Sequence, residues 1–184
     1  MKRMENKVTK VVTGKVRFSY AHVWKPKSIN GGDEKYSVSL IISKSDKETI
    51  AKINAAIEAA KKEGLSKFGG KIPANLKLPL RDGDIDRDDD ENYENCYFIN
   101  ANSATAPGIV DRYAKAILDS TEVYSGCYGR ASITFYAFNT NGNKGIACGL
   151  QNLQKLADGE PLGGRSRAED DFESYDEDDD DFLG

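Results

Sequence analysis

The sequence predicts a mainly β, α+β protein: a small, mostly antiparallel barrel of five strands with one principal helix after the second. Three observations lead there. Five stretches alternate apolar and polar residues with a period of two, one stretch carries apolar residues at spacings of three and four, and no βαβ rhythm or internal repeat is present.

The first strand reads over residues 10–20, with Val12, Val16, Phe18 and Tyr20 on the core side and Thr13, Lys15, Arg17 and Ser19 opposite. Residues 21–33 are expected as a loop holding His22, Trp24, Lys25, Pro26 and Lys27, with turn chemistry at Asn30-Gly31-Gly32. Residues 36–42 form the second strand, its core side Tyr36, Val38, Leu40 and Ile42. A capping box of Ser45 and Glu48 then opens the helix. Ile50, Ile53, Ile57 and Ala60 make its apolar stripe, and Gly64 is placed to end it. Residues 65–94 read as irregular. The third strand spans 96–101, followed by a loop around Pro107-Gly108. Residues 126–138 and 145–153 are the fourth and fifth strands, joined by a hairpin turn at Asn139-Thr140-Asn141-Gly142-Asn143. Residues 1–157 are expected to form one domain. Residues 158–184, opening on Asp158-Gly159-Glu160-Pro161, are expected to be a flexible linker and a disordered acidic tail.

Composition narrows the function. The 184 residues are 39% hydrophobic and 30% charged, as in a soluble globular domain. No apolar run approaches the roughly 18 residues of a membrane helix. Met1-Lys2-Arg3-Met4-Glu5-Asn6-Lys7 has no apolar segment behind its charges, so no secretory signal is expected there. The net charge of −4 hides a strong asymmetry. Residues 169–184 hold ten acids and no base, leaving 26 basic and 20 acidic groups elsewhere, a net of +6. Residues 82–94 hold eight more acids against Arg87; without them the body carries 25 bases and 12 acids.

Cys96, Cys127 and Cys148 lack paired spacing and suit reduced thiols in a reducing compartment. With His22 the one histidine, a zinc site of clustered histidines is excluded. No cofactor and no resident metal is expected.

The fourth strand carries the most functional information. Cys127, Gly129, Ala131, Ile133, Phe135 and Ala137 fall on one face, small and apolar. Tyr128, Arg130, Ser132, Thr134, Tyr136 and Phe138 fall on the other, joining rings, a guanidinium and hydroxyls. Such a face suits single-stranded nucleic acid, in which bases stack on rings and cations hold phosphates. The same rings could instead pack beneath the helix or a loop. Trp24-Lys25-Pro26-Lys27 and Lys15/Arg17 also interleave basic and aromatic groups, which favours binding. Asp82, Asp84 and Asp86 raise the alternative of a metal-dependent nuclease. They do not make an EF-hand, because Arg87 and Tyr93 stand where glycine and glutamate are needed. A tail of Asp178, Asp179, Asp180 and Asp181 before Phe182 can compete with DNA for a basic groove, or offer an apolar hook to a partner protein.

Several segments resemble a family of single-stranded-DNA-binding proteins of bacteriophages and prophages. They include Gly14-Lys15-Val16-Arg17-Phe18-Ser19-Tyr20-Ala21-His22, Pro79-Leu80-Arg81-Asp82-Gly83-Asp84 and Tyr97-Phe98-Ile99-Asn100-Ala101-Asn102-Ser103. Tyr124-Ser125-Gly126-Cys127-Tyr128-Gly129-Arg130 and Gly142-Asn143-Lys144-Gly145-Ile146 continue the match. The resemblance implies an OB-fold barrel that coats single-stranded DNA in phage replication or recombination, in the cytoplasm of a bacterial host. It also implies an acidic tail that recruits replication proteins. On the strand faces, Tyr128, Arg130, Tyr136 and Trp24 are expected to meet bases, and Lys15, Arg17, Lys25, Lys27 and Lys144 to hold phosphates. A homo-oligomer on DNA is among the expected partners, no membrane is, and a strand-annealing recombination mediator is the third reading.

Overall fold

The computed structural model describes residues 8–28, 31–162 and 172–175. Its strands are β1 (Lys10–Val12), β2 (Val16–Ser28), β3 (Glu34–Ser43), β4 (Leu80–Asp82), β5 (Cys96–Ser103), β6 (Gly108–Val110), β7 (Tyr128–Thr140) and β8 (Asn143–Ala157). Its α-helices are α1 (Lys47–Glu63), between β3 and β4, and the single turn α2 (Gly83–Asp86), with 3-10 turns at Leu65–Phe68, Glu91–Tyr93 and Ser120–Glu122. The protein is thus mainly β with few helices.

Five strands pair in a closed circuit: β7 with β2, β2 with β3, β3 with β5, β5 with β8, and β8 with β7. Every link is antiparallel except the parallel contact of Asn102 with Gly149. Four of them, β3, β5, β7 and β8, carry the second to fifth alternating stretches, and the first stretch is divided between β1 and β2. β1, β4 and β6 are three-residue additions to β7, β5 and β8.

Period-two alternation decides what fills the interior. Phe18, Val38, Leu40, Ile42, Ile99, Ile133, Phe135 and Leu153 point inward and are buried, joined by Ile53, Ala56, Ile57 and Ala60 of α1. At roughly 1.5–3 kcal/mol per buried large side chain, this cluster is the main stabilising element. A second, smaller cluster lies on the other side of β3 and β5. There Ile41 joins Phe98 and the buried ring of Tyr93, and the two rings meet edge to face at 5.1 Å. That contact holds the acidic stretch against the sheet.

Several local expectations are corrected. The first strand breaks at Thr13-Gly14-Lys15, because Gly14 N–H turns to the Thr49 hydroxyl of α1 at 3.0 Å. Val12 is consequently exposed, and Val11 is the buried residue of β1. Residues 21–28 form the outer half of β2 and not a loop, with His22 opposite Ser37 and Lys27 opposite Lys35. Tyr20 is exposed, because a bulge between Ser19 and His22 inserts one residue and reverses the facing. The N-cap of α1 is Asp46, whose carboxylate accepts from Thr49 N–H at 3.2 Å, while Ser45 bonds Ser43. Gly64 does close α1, but at φ −93° its need for glycine is spatial: a Cβ there would run into that of Ala137. The β7–β8 turn is the two-residue Asn141-Gly142 with φ of 52° and 86°, as a tight hairpin requires.

Beyond β8 the chain crosses the start of β7. Tyr124 hydroxyl donates to Asp158 at 3.0 Å, Leu162 N–H donates to Ser125 carbonyl at 2.8 Å, and Leu162 packs on the second cluster. Asp178–Asp181 and Phe182 lie outside the described residues.

Candidate nucleic-acid interface

The residues singled out in the sequence fall into three places. At the start of β7, Lys15 Nζ and Arg17 Cζ lie 5.2 and 5.3 Å from the Tyr128 ring centroid. Arg17 also donates from Nε to Gly126 carbonyl at 3.1 Å and from Nη2 to Glu160 carbonyl at 2.8 Å, clamping the segment after β8. Near the other end of β7, about 26 Å away at strand rise, Tyr136 is 45% exposed beside Gly149. Lys144, in the neighbouring turn region, donates to Phe68 carbonyl at 3.4 Å. On the outer half of β2, Lys25 and Lys27 are exposed. Trp24 packs on the core, and its indole N–H donates to Val123 carbonyl at 3.0 Å. Arg130 Nε donates to Thr13 carbonyl at 2.9 Å. The alternation of β7 itself is as read: its small apolar set is buried and its polar and aromatic set faces outward.

A groove of about 520 Å³ opens where β2, β3 and β5 lie side by side. Tyr20, His22 and Lys27 come from β2, Ser37, Ser39 and Lys35 from β3, and Asn100 and Asn102 from β5. Strand register assembles them: Ser39 stands opposite Asn100, Ser37 opposite both Asn102 and His22, and Lys35 opposite Lys27. Arg87 reaches in from the acidic stretch, and Asp33 is the carboxylate among the described lining residues. Burial, with the charge of Lys27, holds the His22 imidazole below its ordinary pKa.

The three carboxylates raised as a nuclease site are committed to ion pairs. Asp82 and Asp84 grip Lys44 Nζ at 2.8 and 2.7 Å, which holds that ammonium protonated well above its usual range and lowers the Asp84 carboxyl. Asp86 pairs with Arg81 at 3.0 Å. The thiols of Cys127 and Cys148 are buried, and burial pushes both up, away from nucleophilic thiolates.

Tyr20, His22, Lys35, Arg87, Asn100 and Asn102 escape the sequence reading of the site. Left-handed backbone is normally flagged by glycine or asparagine, and Ser19-Tyr20-Ala21 has neither. The polar alternation of Ser37/Ser39 and of Asn100/Asn102 does mark an outer face, and it is the signal available for those strands.

The closed strand circuit and its cation-lined outer groove define a β-rich binding module. The chain belongs to the family of the Enterobacter phage Enc34 ssDNA-binding protein, whose model matches residues 9–183. The solved structure of the bacteriophage Enc34 single-stranded DNA-binding protein in complex with ssDNA is 29% identical, with a TM-score of 0.75 over 89% of this chain and 97% of that one. A phage of the Acyrthosiphon pisum secondary endosymbiont encodes a putative protein p50 that is 29% identical over 163 residues, 84% of this chain and 87% of that protein. A single-stranded DNA-binding protein encoded by bacteriophage T7, 15% identical, shares the fold with a TM-score of 0.60 over 88% of this chain and 91% of that one.

Proposed function

We propose that this chain is an OB-fold barrel that binds single-stranded DNA with little sequence preference and without catalysis, coating it during phage replication or recombination in a bacterial host cell. One observation carries the reading. Lys27 and Lys35 face each other across the β2–β3 hairpin at a groove whose strands offer serine, asparagine and tyrosine side chains. Like charges placed opposite one another cost folding stability, and a phosphate backbone between them offsets that cost. Membership of the Enc34 family supports the same ligand.

In this reading Lys15, Lys25, Lys27 and Lys144 hold phosphates, and Tyr128 and Tyr136 offer rings to bases. Arg17, Trp24 and Arg130, with donors engaged on backbone carbonyls, shape the interface. The acidic residues of the tail, Asp178–Asp181 with Phe182, compete for the groove and recruit replication proteins. The pairing of Asp82 and Asp84 with Lys44, and of Asp86 with Arg81, favours binding over a nuclease using those carboxylates.

The test is a titration of oligo-dT into the full-length protein and a form ending at residue 168, followed by tryptophan and tyrosine quenching at several salt concentrations. Binding that weakens with salt and tightens on truncation is expected. No binding by either form overturns the proposal, and cleavage of labelled strands with Mg²⁺ or Mn²⁺ overturns its non-catalytic part.

A further inference from the structure

Tyr20 has a backbone its residue type does not favour. Its φ of 45° lies in the left-handed region, where a bulky side chain is an outlier. The bulge at this position turns the ring out of the core side and into the groove, leaving it 51% exposed. A folded chain keeps such an arrangement only where its surroundings over-determine it, and such sites cluster at ligand-binding positions.

Its support comes from the acidic stretch. The Arg87 guanidinium lies 5.4 Å from the Tyr20 ring centroid and also rests on the buried rings of Tyr93 and Phe98, at 5.5 and 5.7 Å. Although seven of its neighbours within residues 82–91 are acids, Arg87 makes no ion pair and no side-chain hydrogen bond among the described residues. Its donors remain available to a ligand. Asp89, Asp90 and Glu91 border the adjoining concavity on the far side of Tyr20 and Arg87, so a phosphate backbone is repelled beyond this point.

Resting on the proposed binding of single-stranded DNA, we infer that Tyr20, backed by Arg87, is a nucleobase-stacking subsite that closes one end of the groove. The ring takes the face of an unpaired base, Arg87 orients the ring and offers donors to the same nucleotide, and the acids set the limit of the strand's path.

The experiment compares wild type, Tyr20→Ala, Tyr20→Gly, Tyr20→Leu and Tyr20→Phe on oligo-dT and on an abasic deoxyribose-phosphate oligomer of equal length. Stacking on one ring predicts about 5- to 150-fold weaker oligo-dT binding for the alanine, glycine and leucine variants. Tyr20→Phe should bind like wild type. On the abasic strand the variants should differ from wild type by less than about twofold, because no base is present to stack. Tyr20→Gly should melt above Tyr20→Ala, since glycine adopts the positive φ without strain. Tyr20→Leu keeps apolar bulk under Arg87 and preserves the test if the smaller variants unfold. Unchanged oligo-dT affinity in the folded variants, or an equal loss on both strands, overturns the stacking role. Failure of wild type to bind oligo-dT overturns the underlying function and this subsite with it.

Discussion

Replacing Lys27 and Lys35 by glutamine separates what these side chains do for the fold from what they do for a ligand. They stand directly opposite one another on β2 and β3, both exposed. A directly opposed like-charge pair costs on the order of 0.2–1 kcal/mol, so the double variant is expected to melt slightly higher. At about 2–4 °C per kcal/mol for a chain of this size the rise is a few degrees at most. Binding should move the other way. Each phosphate contact to a single strand contributes about 0.7 to the slope of log affinity against log salt. Losing two lowers the slope by about 1.4. Over a fourfold change in salt the wild-type affinity then falls about sevenfold more than that of the variant. Fluorescence titration of oligo-dT at four or five salt concentrations, with melting curves on the same samples, measures both. An unchanged slope in a folded variant would refute the assignment of this groove to phosphate.

Three further outcomes follow from particular contacts. Because burial and Lys27 depress His22, the folded protein favours neutral imidazole, and the stability this group contributes is lost as pH falls below the ordinary value of about 6.5. A polyanion in the groove favours the protonated form, so DNA affinity should rise over the same fall in pH, and His22→Gln should flatten both profiles. Arg17→Met removes donors to Gly126 and Glu160; it should cost about 1–3 kcal/mol in denaturant unfolding and release residues 158–162 to proteolysis, with a smaller change in salt slope than at Lys27. Gly64→Ala improves helix propensity yet pushes a Cβ into Ala137, so it should lower stability by about 1–3 kcal/mol; a rise in Tm would refute the close-approach argument.

The strands and the main helix were legible because their signals are local. Val38, Leu40 and Ile42 alternate into the core as their spacing demands, and Ile53, Ile57 and Ala60 face it from α1. Asn141-Gly142 adopts the positive φ angles its residues favour. The inward face of β7 was equally plain, since Ile133 and Phe135 bury while Tyr136 does not. Local signals failed where another element intervened. Thr49 draws Gly14 out of the strand, and Asp46 outcompetes Ser45 for the cap because Ser45 is engaged with Ser43.

The sequence by itself determined the mainly β class of fold, four of the five circuit strands with part of the first, and the helix between the second and third of them, because those signals are periodic and local; its motif segments carried the resemblance to the family. It also placed tyrosines and cations on outward faces. Only the tertiary structure decided which side chains share one groove. Tyr20, Lys35, Arg87 and Asn100 meet because a bulge, two strand registers and the docking of Tyr93 bring them together. Arg17, Trp24 and Arg130, which look alike in sequence, are drawn onto backbone carbonyls by the same packing. Periodicity says which way a side chain points; what it meets there depends on segments tens of residues away, whose approach is set by the burial of the whole core.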